Sequence, residues 1–517
     1  MNKSAVTIAV SLVVSSLPVS AVDGFLAKGR SLGYGGAGTT YAHWSEAANY
    51  NPALVGAAAG SDHDFFIVLK GAGRITDISE NGDTPDVIED FGDDVDRFDE
   101  FNNVDLLEGD KGELQRIIDD SNQLISSVAT LNGVGARAEF GGNASFGLAF
   151  QKVAFSAHIS SQFDIAGSAG VSDADLALLR RYTQLGQVLL DDVRPLFDEA
   201  AVLEQDLLQK EQALNELKNS GSATDEDIAT ATALVTEAES LFREADLLAE
   251  QVKNQQTTIE NDFGDIFDQN TQTITFNEKD LESVARFAAI GWFEVGLTAG
   301  SKYRLKNGQS INYGATLKSV HLELFDYQVG AATFDEDDID GDDVRNSTNF
   351  TTADLGVIWS LDPADKWRIG GTIKNIVGEE ISSNPIRLAE GQQIMTYKVE
   401  PQVRLGASYN GGWFRLAADV DLTESNGPKL ANGRQFFRGS QYANIGLVLN
   451  AWDFIELRGG YRHNFASSTV TTDTEKSEGA ITFGAGLYLG SVQFDLSFQA
   501  SPELDDVGGG IQTMITW

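Results

Sequence analysis

The sequence predicts an all-β transmembrane barrel of about 14 antiparallel strands, with an N-terminal plug and an inserted α-helical coiled-coil hairpin. Three observations predict this fold class. Apolar and polar residues alternate with period two through most of the second half of the chain. Tight and long connections between the alternating segments follow each other in turn. Five of the seven Trp lie beside the tight connections or at the chain end.

Composition narrows the class of protein further. The 517 residues include 37 Lys and Arg against 77 Asp and Glu, a formal net charge of −40. Nucleic acid is therefore excluded as a partner, because phosphate binding needs a positive face. The sequence has no Cys, which excludes a disulfide scaffold, thiolate metal sites and thiol catalysis. The 52 Gly and only 9 Pro fit tightly packed β-structure better than disorder.

The first element is a predicted secretory signal peptide at residues 1–21. Lys3 gives it a positive start, the apolar run extends from Val6 to Val14, and Ala21 ends a small-residue cleavage site. This run is too short to span a bilayer, which takes about 20 residues. A soluble periplasmic protein and an outer-membrane barrel both remain after export. We predict the outer membrane of a Gram-negative bacterium, after cleavage near Ala21.

The barrel strands are predicted in residues 61–167, interrupted by the acidic loop 73–132, and in residues 283–517. The predicted strands are 62–72, 133–150, 153–167, 283–304, 309–327, 347–361, 366–378, 396–410, 412–424, 441–451, 454–465, 479–489, 491–501 and 509–517. Every second connection is tight, as at Gly411 and Gly490. Bacterial outer-membrane barrels have an even strand number, short periplasmic turns and long outer loops.

The strands carry one apolar and one polar face. A soluble sandwich would bury the apolar face, whereas a transmembrane barrel turns it to lipid and keeps the polar face in the lumen. The barrel interpretation therefore places seven charged side chains inside: Arg404, Arg415, Asp419, Glu456, Arg458, Arg462 and Asp495. Residues 318–322 break the alternation, and Leu317 and Val320 can share a face only through a bulge.

Aromatic residues indicate the rim of the barrel. Trp is favoured at the membrane–water boundary, because its ring is apolar and its N–H needs a partner. The five candidates for a periplasmic girdle are Trp359, Trp367, Trp413, Trp452 and Trp517. The aromatic end of the last strand is similar to the terminal signal of bacterial outer-membrane barrels. It implies the barrel-assembly machinery as a partner, beside outer-membrane lipid and lipopolysaccharide.

A Gly-rich segment precedes the first strand, with "GRSLGYGGAG" at 29–38 and "EAANYNPAL" at 46–54. It matches two enzyme patterns literally, G-x-G-x-x-G and G-x-S-x-G. Both patterns need a preceding strand and a following helix in an α/β sheet. A signal peptide precedes them here, so neither pattern indicates an enzyme.

These residues resemble the N-terminal region of the FadL and PorV group of outer-membrane proteins, and within it the TraF-like conjugal-transfer family. The resemblance is specific over residues 25–56 and architectural over the strands. It implies that residues 22–60 fold into the lumen as a hatch, with Asn51 and Pro52 fixing the turn into the first strand. Four glycines would let the hatch backbone approach the wall: Gly33, Gly35, Gly36 and Gly38. A loose periplasmic tail is the alternative.

Residues 168–282 break the strand pattern. Apolar residues there follow a 4–3 spacing, in one run from Leu196 to Leu217 and a second through Ile228, Val235, Phe242 and Ala249. This spacing predicts an antiparallel helical hairpin with a heptad seam. Strand parity predicts that the hairpin is extracellular. Its residues 171–265 are either a solvated spacer or an arm for a surface partner.

Two acidic segments complete the chain. In the loop 73–132, Thr84-Pro85 predicts the start of a short surface helix over the barrel mouth. Asp338, Asp340 and Asp342 lie at alternate positions beside Gly341, which partly resembles a calcium loop. The Glu expected near position twelve is Ser347, so a solvated loop is the alternative. Weakly bound calcium is the one cofactor that the sequence suggests.

The predicted function is passive transport, and no catalytic site is recognised. The five His form no metal-binding or Ser-His-Asp set. The FadL-like start and the strand count favour a channel for small hydrophobic molecules. The acidic hairpin and the TraF-like match favour the alternative, a surface attachment or assembly protein for conjugal transfer or envelope complexes.

Overall fold

The computed structural model describes most of the chain beyond the predicted signal peptide. The described ranges are 29–60, 65–78, 111–219, 224–268, 273–274, 282–330, 344–388, 391–431, 438–452, 454–466 and 479–517, with residues 87, 90, 93, 94, 433, 435 and 436. The predicted signal peptide, the calcium loop and the helix start at Thr84 lie outside the described residues. The described chain divides into a barrel unit and a helical unit.

The barrel unit is a closed sheet of fourteen antiparallel strands. In chain order they are β1 Phe65–Asp77, β2 Gly135–Ala149, β3 Val153–Gly170, β4 Val284–Arg304, β5 Ser310–Gly330, β6 Arg345–Ser360, β7 Trp367–Lys374, β8 Gln402–Asn410, β9 Phe414–Asp421, β10 Tyr442–Trp452, β11 Ile455–Asn464, β12 Gly479–Leu489, β13 Val492–Ala500 and β14 Asp506–Thr516. Each strand pairs with its sequence neighbours, and β14 closes on β1 with Phe66 opposite Thr516. The predicted barrel is confirmed.

Two details of the predicted strands are wrong. The bulge near Lys318 does not form, because β5 pairs with β4 and β6 without a shift of register. Leu317 points outward and Val320 inward, so the inner face itself becomes apolar at this point. The predicted strand 396–410 is divided. Thr396–Val399 pairs with Glu379–Ser382 in a separate two-stranded sheet, which we call the mouth hairpin, and only Gln402–Asn410 joins the barrel.

The outer surface of the barrel is apolar. Outward side chains on neighbouring strands are large and exposed, among them Leu405, Leu416 and Leu447. All five predicted girdle residues are also exposed: Trp359, Trp367, Trp413, Trp452 and Trp517. Such a surface suits hydrocarbon with an aromatic boundary at one end. No described helix is long and apolar enough to cross a bilayer.

The N-terminal segment 29–60 lies inside the barrel and is called the hatch below. It contains two short helices, α1 Gly29–Leu32 and α2 Ala53–Ala58, and a 3₁₀ turn at Trp44–Glu46. Asn51 forms a turn just before α2, since its side-chain oxygen accepts from the Ala53 N–H at 2.9 Å. Nearly every hatch residue is buried, so the hatch fills part of the lumen.

The described residues of the helical unit form the helices α3 Lys111–Thr130, α4 Asp173–Val188, α5 Arg194–Asn219 and α6 Asp225–Phe263. A π-helical turn, Leu189–Val193, joins α4 to α5. Thr224 caps α6 in a capping box with Asp227. Helix α3 falls in the loop 73–132, where the sequence pattern predicted a helix only farther upstream.

Candidate functional site: a barrel lumen filled by its hatch

The hatch backbone lies directly on the inner wall of the barrel. An added Cβ at Gly446 or Gly460 would come under 3.0 Å from the hatch at Tyr34 and Gly35. The other wall glycines with such close hatch contacts are Gly147, Gly300, Gly314, Gly356, Gly406 and Gly484. Because eight strands contribute one of these glycines each, the hatch is seated around most of the lumen.

Hatch glycines complete these contacts. Gly35 and Gly36 have φ angles of +73° and +76°, a left-handed conformation that favours glycine. The Gly35 N–H also donates to the hydroxyl of Thr482 in the wall at 2.8 Å. Gly33 approaches Gly484, and Gly38 approaches the ring of Tyr50 in the hatch itself. A side chain would therefore collide at Gly33, Gly35 and Gly38, and it would be strained at Gly36 by the positive φ.

Arg30 binds the hatch to a buried charge network. Its Nη2 donates to both carboxylate oxygens of Glu456, at 2.8 and 2.9 Å. Glu456 also accepts from Arg458 at 2.6 Å, and Arg458 donates to Asp495 at 2.5 Å. Arg415 lies 3.7 Å from Glu456 and donates to the Tyr41 hydroxyl of the hatch at 3.0 Å. Buried charges are tolerated when they are paired in this way.

Three further polar contacts fix the middle of the hatch. Asp419 accepts from both the N–H and the hydroxyl of Thr39, at 2.9 and 2.8 Å. The side-chain amide of Asn51 donates to the Thr39 carbonyl at 3.0 Å and also reaches carbonyls of β6 and β7. Lys374 donates to the carbonyl of Ala48 at 3.0 Å. The following Pro52 lies against Gly314 of the wall.

The outer half of the lumen carries other ion pairs. Lys318 lies 3.2 Å from Glu294 and 3.1 Å from Asp354, and all three side chains are almost fully buried. Arg404 pairs with Asp421. Arg462 donates to Gln499 at 3.0 Å and covers the ring of Tyr442. The structure therefore places every charged residue predicted for the inner face on that face, in contact with other polar groups.

One part of the inner face is apolar instead of polar. Its wall residues, on β4 and β5, are buried: Ile290, Trp292, Val320, Leu322 and Leu324. Residues of the mouth hairpin and of the loop beside it pack on this patch: Ile381, Met395, Tyr397 and Val399. The patch lies toward the ends of the strands that carry the long connections. The sequence signal for it was the phase break at 318–322, which was interpreted as a bulge.

Comparison with known protein families identifies the family to which the chain belongs. A family model described as "F plasmid transfer operon, TraF, protein" matches residues 48–421, which is more than half of the chain. The chain belongs to this TraF family. The match starts within the hatch of this TraF-family barrel and ends at the last residue of β9. A search of curated proteins gives no match.

Solved structures of low sequence identity are similar to this TraF-family chain. The Pseudomonas putida toluene transporter TodX is 9% identical, with a TM-score of 0.40 and coverage of 97% of this chain and 99% of that chain. A FadL homologue of Pseudomonas aeruginosa is 8% identical, with a TM-score of 0.40 and coverage of 97% and 98%. The CymD monoaromatic hydrocarbon channel is 11% identical, with a TM-score of 0.41 and coverage of 95% and 97%.

Metal binding was predicted only for Asp338, Asp340 and Asp342, which lie outside the described residues. Within the described part of the chain, no group of three or more His, Asp or Glu is placed to hold a metal ion. Sequence reasoning missed Arg30, Lys318 and Lys374 as lumen charges. Arg30 stands in a Gly-rich segment without periodicity, so its partner on a distant strand had no local signal.

Proposed function

We propose that this TraF-family protein is an outer-membrane channel for passive passage of small apolar molecules, held shut by its hatch. The observation that carries the proposal is the inner apolar patch on β4 and β5, centred on Val320 and Leu322. Transmembrane barrels ordinarily keep a polar interior. An apolar inner wall is stable only when apolar groups cover it, which makes it a place where apolar cargo can replace protein side chains.

The mouth hairpin and the adjoining Met395 contribute to the present cover. Met395 and Tyr397 pack on the patch and are 0% and 2% exposed. A small apolar molecule entering between hairpin and wall would exchange these contacts for its own. Passage then requires movement of the hatch, because the hatch backbone lies against the wall of the other half of the lumen. In this proposal the hatch is a gate, and the buried ion pairs set the cost of opening it.

The location follows the same proposal. The outward apolar rows and the exposed Trp girdle support contact with outer-membrane lipid and lipopolysaccharide. The mature chain would reach a Gram-negative outer membrane after signal-peptide cleavage near Ala21. The barrel-assembly machinery would recognise the terminal strand β14, which ends one residue before Trp517. The proposed passage is physical and requires no catalytic residue or cofactor.

Uptake by intact cells tests the channel. Radiolabelled toluene serves as the apolar probe, in Gram-negative cells whose lipopolysaccharide excludes it, and labelled glucose serves as the polar control. We expect the full chain to raise toluene uptake only. Leu322→Gln should lower that uptake several-fold, whereas Leu504→Gln, at a connection residue that is 68% exposed, should not.

Planar bilayers supply the second readout. A chain lacking residues 29–56 should conduct ions steadily, because the part of the lumen that the hatch fills is then open. If the hatchless chain inserts and never conducts, and no variant alters toluene uptake, the channel is refuted. Surface display of each variant, measured by antibody on intact cells, separates this outcome from failed assembly.

We also propose surface attachment in conjugal transfer as a second function, supported by the family description and by the open apolar face of the helical unit described below. A chain lacking residues 171–265 should keep toluene uptake and lose mating-pair formation between donor and recipient cells. Unchanged mating efficiency with the deletion would contradict the attachment role and leave the channel untouched.

A further inference from the structure

The paired helices α5 and α6 have a seam that differs from the predicted one. In α6 the residues turned toward α5 are Leu234, Leu241 and Leu248, interleaved with small residues such as Ala238 and Ala245. Leu203, Leu207 and Leu214 face them from α5. The seam therefore repeats every three and four residues, as positions a and d of a heptad do.

A second apolar stripe of α6 lies beside this seam. Its members are seven residues apart: Ile228, Val235, Phe242 and Ala249. We assigned this stripe to the seam from the sequence, and the structure shows it exposed, with Ile228 58%, Val235 45% and Phe242 61% accessible. Relative to the seam these residues occupy position e. An apolar stripe limited to a and d suits two helices, whereas a, d and e together suit a helix in a larger bundle.

At the C-terminal end of α6, additional helical segments cover the apolar residues. There α6 packs with α4 and the π turn around Leu185, Leu189, Ile259 and Phe263, each no more than 8% exposed. Farther along α6, only α5 is in contact among the described residues, and the stripe of Phe242 stays open. The apolar pattern of α6 thus continues beyond the region where further helices cover it.

The open face forms a groove between the two helices. Its volume is about 700 Å³. Leu207, Leu214, Ala238 and Ala245 line it at the seam, while the side walls include Leu208, 51% exposed, and Phe242. The lining on α5 extends from Ala200 to Leu214, which corresponds to ~21 Å or about four turns of an incoming helix. Large apolar grooves with polar rims mark binding sites for amphipathic helices.

The charges of the rim decide which helix fits. Glu204, Lys210 and Glu211 line the α5 side of the groove. Lys210 is paired with Glu237 of α6, whereas no ion pair of Glu204 or Glu211 is found among the described residues. Together α5 and α6 carry sixteen Asp or Glu against five Lys or Arg. A second copy of this acidic hairpin would bring like charges together, which opposes pairing. A helix with Lys or Arg beside its apolar stripe would satisfy the rim.

We propose that this groove binds a basic amphipathic helix of a partner protein, with Phe242 as the central apolar anchor and Glu204 and Glu211 as the charged contacts. Aromatic anchors in such grooves carry much of the binding energy, and rim charges select the partner. This inference deepens the attachment role proposed above and does not depend on the channel.

The test uses the full chain in nanodiscs of zwitterionic phosphatidylcholine. The probe is a fluorescein-labelled synthetic peptide of about three heptads with Leu at a and d and Lys at e and g. A peptide with Glu in place of Lys is its charge control, and empty nanodiscs supply the blank. Fluorescence anisotropy gives the affinity of each peptide for the wild type and for the variants.

The groove variant is Phe242→Glu, and the matched control is Phe197→Glu, at a Phe that is 53% exposed on α5 and outside the groove lining. We expect the Lys peptide to bind the wild type and Phe197→Glu alike, and Phe242→Glu to weaken binding at least about tenfold, or ~1.4 kcal/mol. The double variant Glu204→Lys/Glu211→Lys should prefer the Glu peptide. Unchanged helical circular dichroism shows that each variant is folded.

Three results would overturn the inference. They are an equal loss of binding in the two Phe variants, equal binding of the Lys and Glu peptides, and sedimentation that shows wild-type dimers dissociated by Phe242→Glu. The last outcome assigns the groove to a second copy. Mating efficiency of Phe242→Glu is measured separately. Lost peptide binding with normal mating would refute the attachment role and keep the groove assignment.

Discussion

Arg30 in the hatch and Glu456 in the barrel wall form a two-pronged ion pair, 2.8 and 2.9 Å from one guanidinium nitrogen to the two carboxylate oxygens. The residues are 426 positions apart in the sequence. Both are buried, and the pair joins the start of the hatch to strand β11. A buried pair of this kind holds its elements in one register, because either charge alone would be costly in the interior.

Replacing Arg30 tests the pair. Arg30→Ala should lower the free energy of unfolding by about 2 kcal/mol, since Arg458 still neutralises Glu456. It should also raise ion conductance in planar bilayers by freeing the start of the hatch. The stability and conductance of Arg30→Lys should lie between those of the wild type and Arg30→Ala, because Lys keeps the charge but lacks the planar guanidinium. The matched control is Arg181→Ala, which breaks an exposed pair with Asp265 and should change neither quantity measurably.

Adjacent glycines of β11 offer a sharper comparison. Gly460 faces the hatch, and a Cβ there would overlap the backbone at Gly35, whereas the nearest atom to a Cβ at Gly459 lies 4.0 Å away. Gly460→Ala should therefore displace the hatch and increase conductance and protease cleavage of the hatch, while Gly459→Ala should behave as the wild type. Identical cleavage of the two variants would show that the hatch does not rest on this strand.

The Lys318 cluster should contribute strongly to the stability of the fold. Lys318→Met leaves Glu294 and Asp354 buried with less neutralisation, and breaking such a cluster costs about 3–5 kcal/mol. The heat-induced mobility shift on a denaturing gel should move to lower temperature. The control is Lys302→Met, near the C-terminal end of β4. It should leave the temperature of the mobility shift within a few degrees of the wild type. A wild-type shift for Lys318→Met would mean that the cluster contributes little.

A tight turn provides a pH-dependent test outside the membrane. Asp362 accepts from the Trp367 N–H at 2.8 Å, and from the N–H groups of Lys366 and Ala364. These hydrogen bonds lower the pKa of Asp362 below its ordinary value, and the bond from Trp367 has the largest effect. A lowered pKa stabilises the fold above the ordinary carboxyl range and loses this effect as pH falls through the folded-state pKa.

The difference in melting temperature between the wild type and Asp362→Asn should therefore be constant near neutral pH and shrink in the acid range. Circular dichroism melts between about pH 3 and 7 measure it. The control is Asn410→Ala, which changes the next tight turn and removes no titrating group. Asp265→Asn is less suitable as a control, because Asp265 pairs with Arg181 on another element. A difference that grows on acidification would contradict this account of the turn.

Local alternation predicted all fourteen strands, because each strand has one face toward lipid and one toward the lumen, and this difference is visible within its own sequence. Contacts between distant segments were not predictable in that way. The partner of Arg30 depends on where the hatch lies, and nothing near either residue signals the pair. The hatch glycines were recognised by resemblance, whereas the wall glycines, such as Gly446 and Gly460, become meaningful only once the hatch is seated.

Two errors had a common physical cause. The strand interpretation assumed that an inward face is polar along its whole length, so the break in alternation at Val320 predicted a bulge. The Val320 side chain is instead buried in the inner apolar patch, at 0% exposure. The heptad model likewise assumed that all apolar residues of α6 meet α5, and it therefore placed exposed Phe242 in the seam.

The central claim is that apolar rows of the sheet face hydrocarbon while charged rows and the hatch fill the lumen. Because the chain has no native Cys, single nitroxide labels at Leu405→Cys, Leu416→Cys and Leu447→Cys report their own surroundings in reconstituted bilayers. Electron paramagnetic resonance should show frequent collisions with oxygen and few with a water-soluble nickel chelate at all three labels. Labels that collide with the nickel chelate as in water, or with neither reagent, would contradict a membrane-facing sheet.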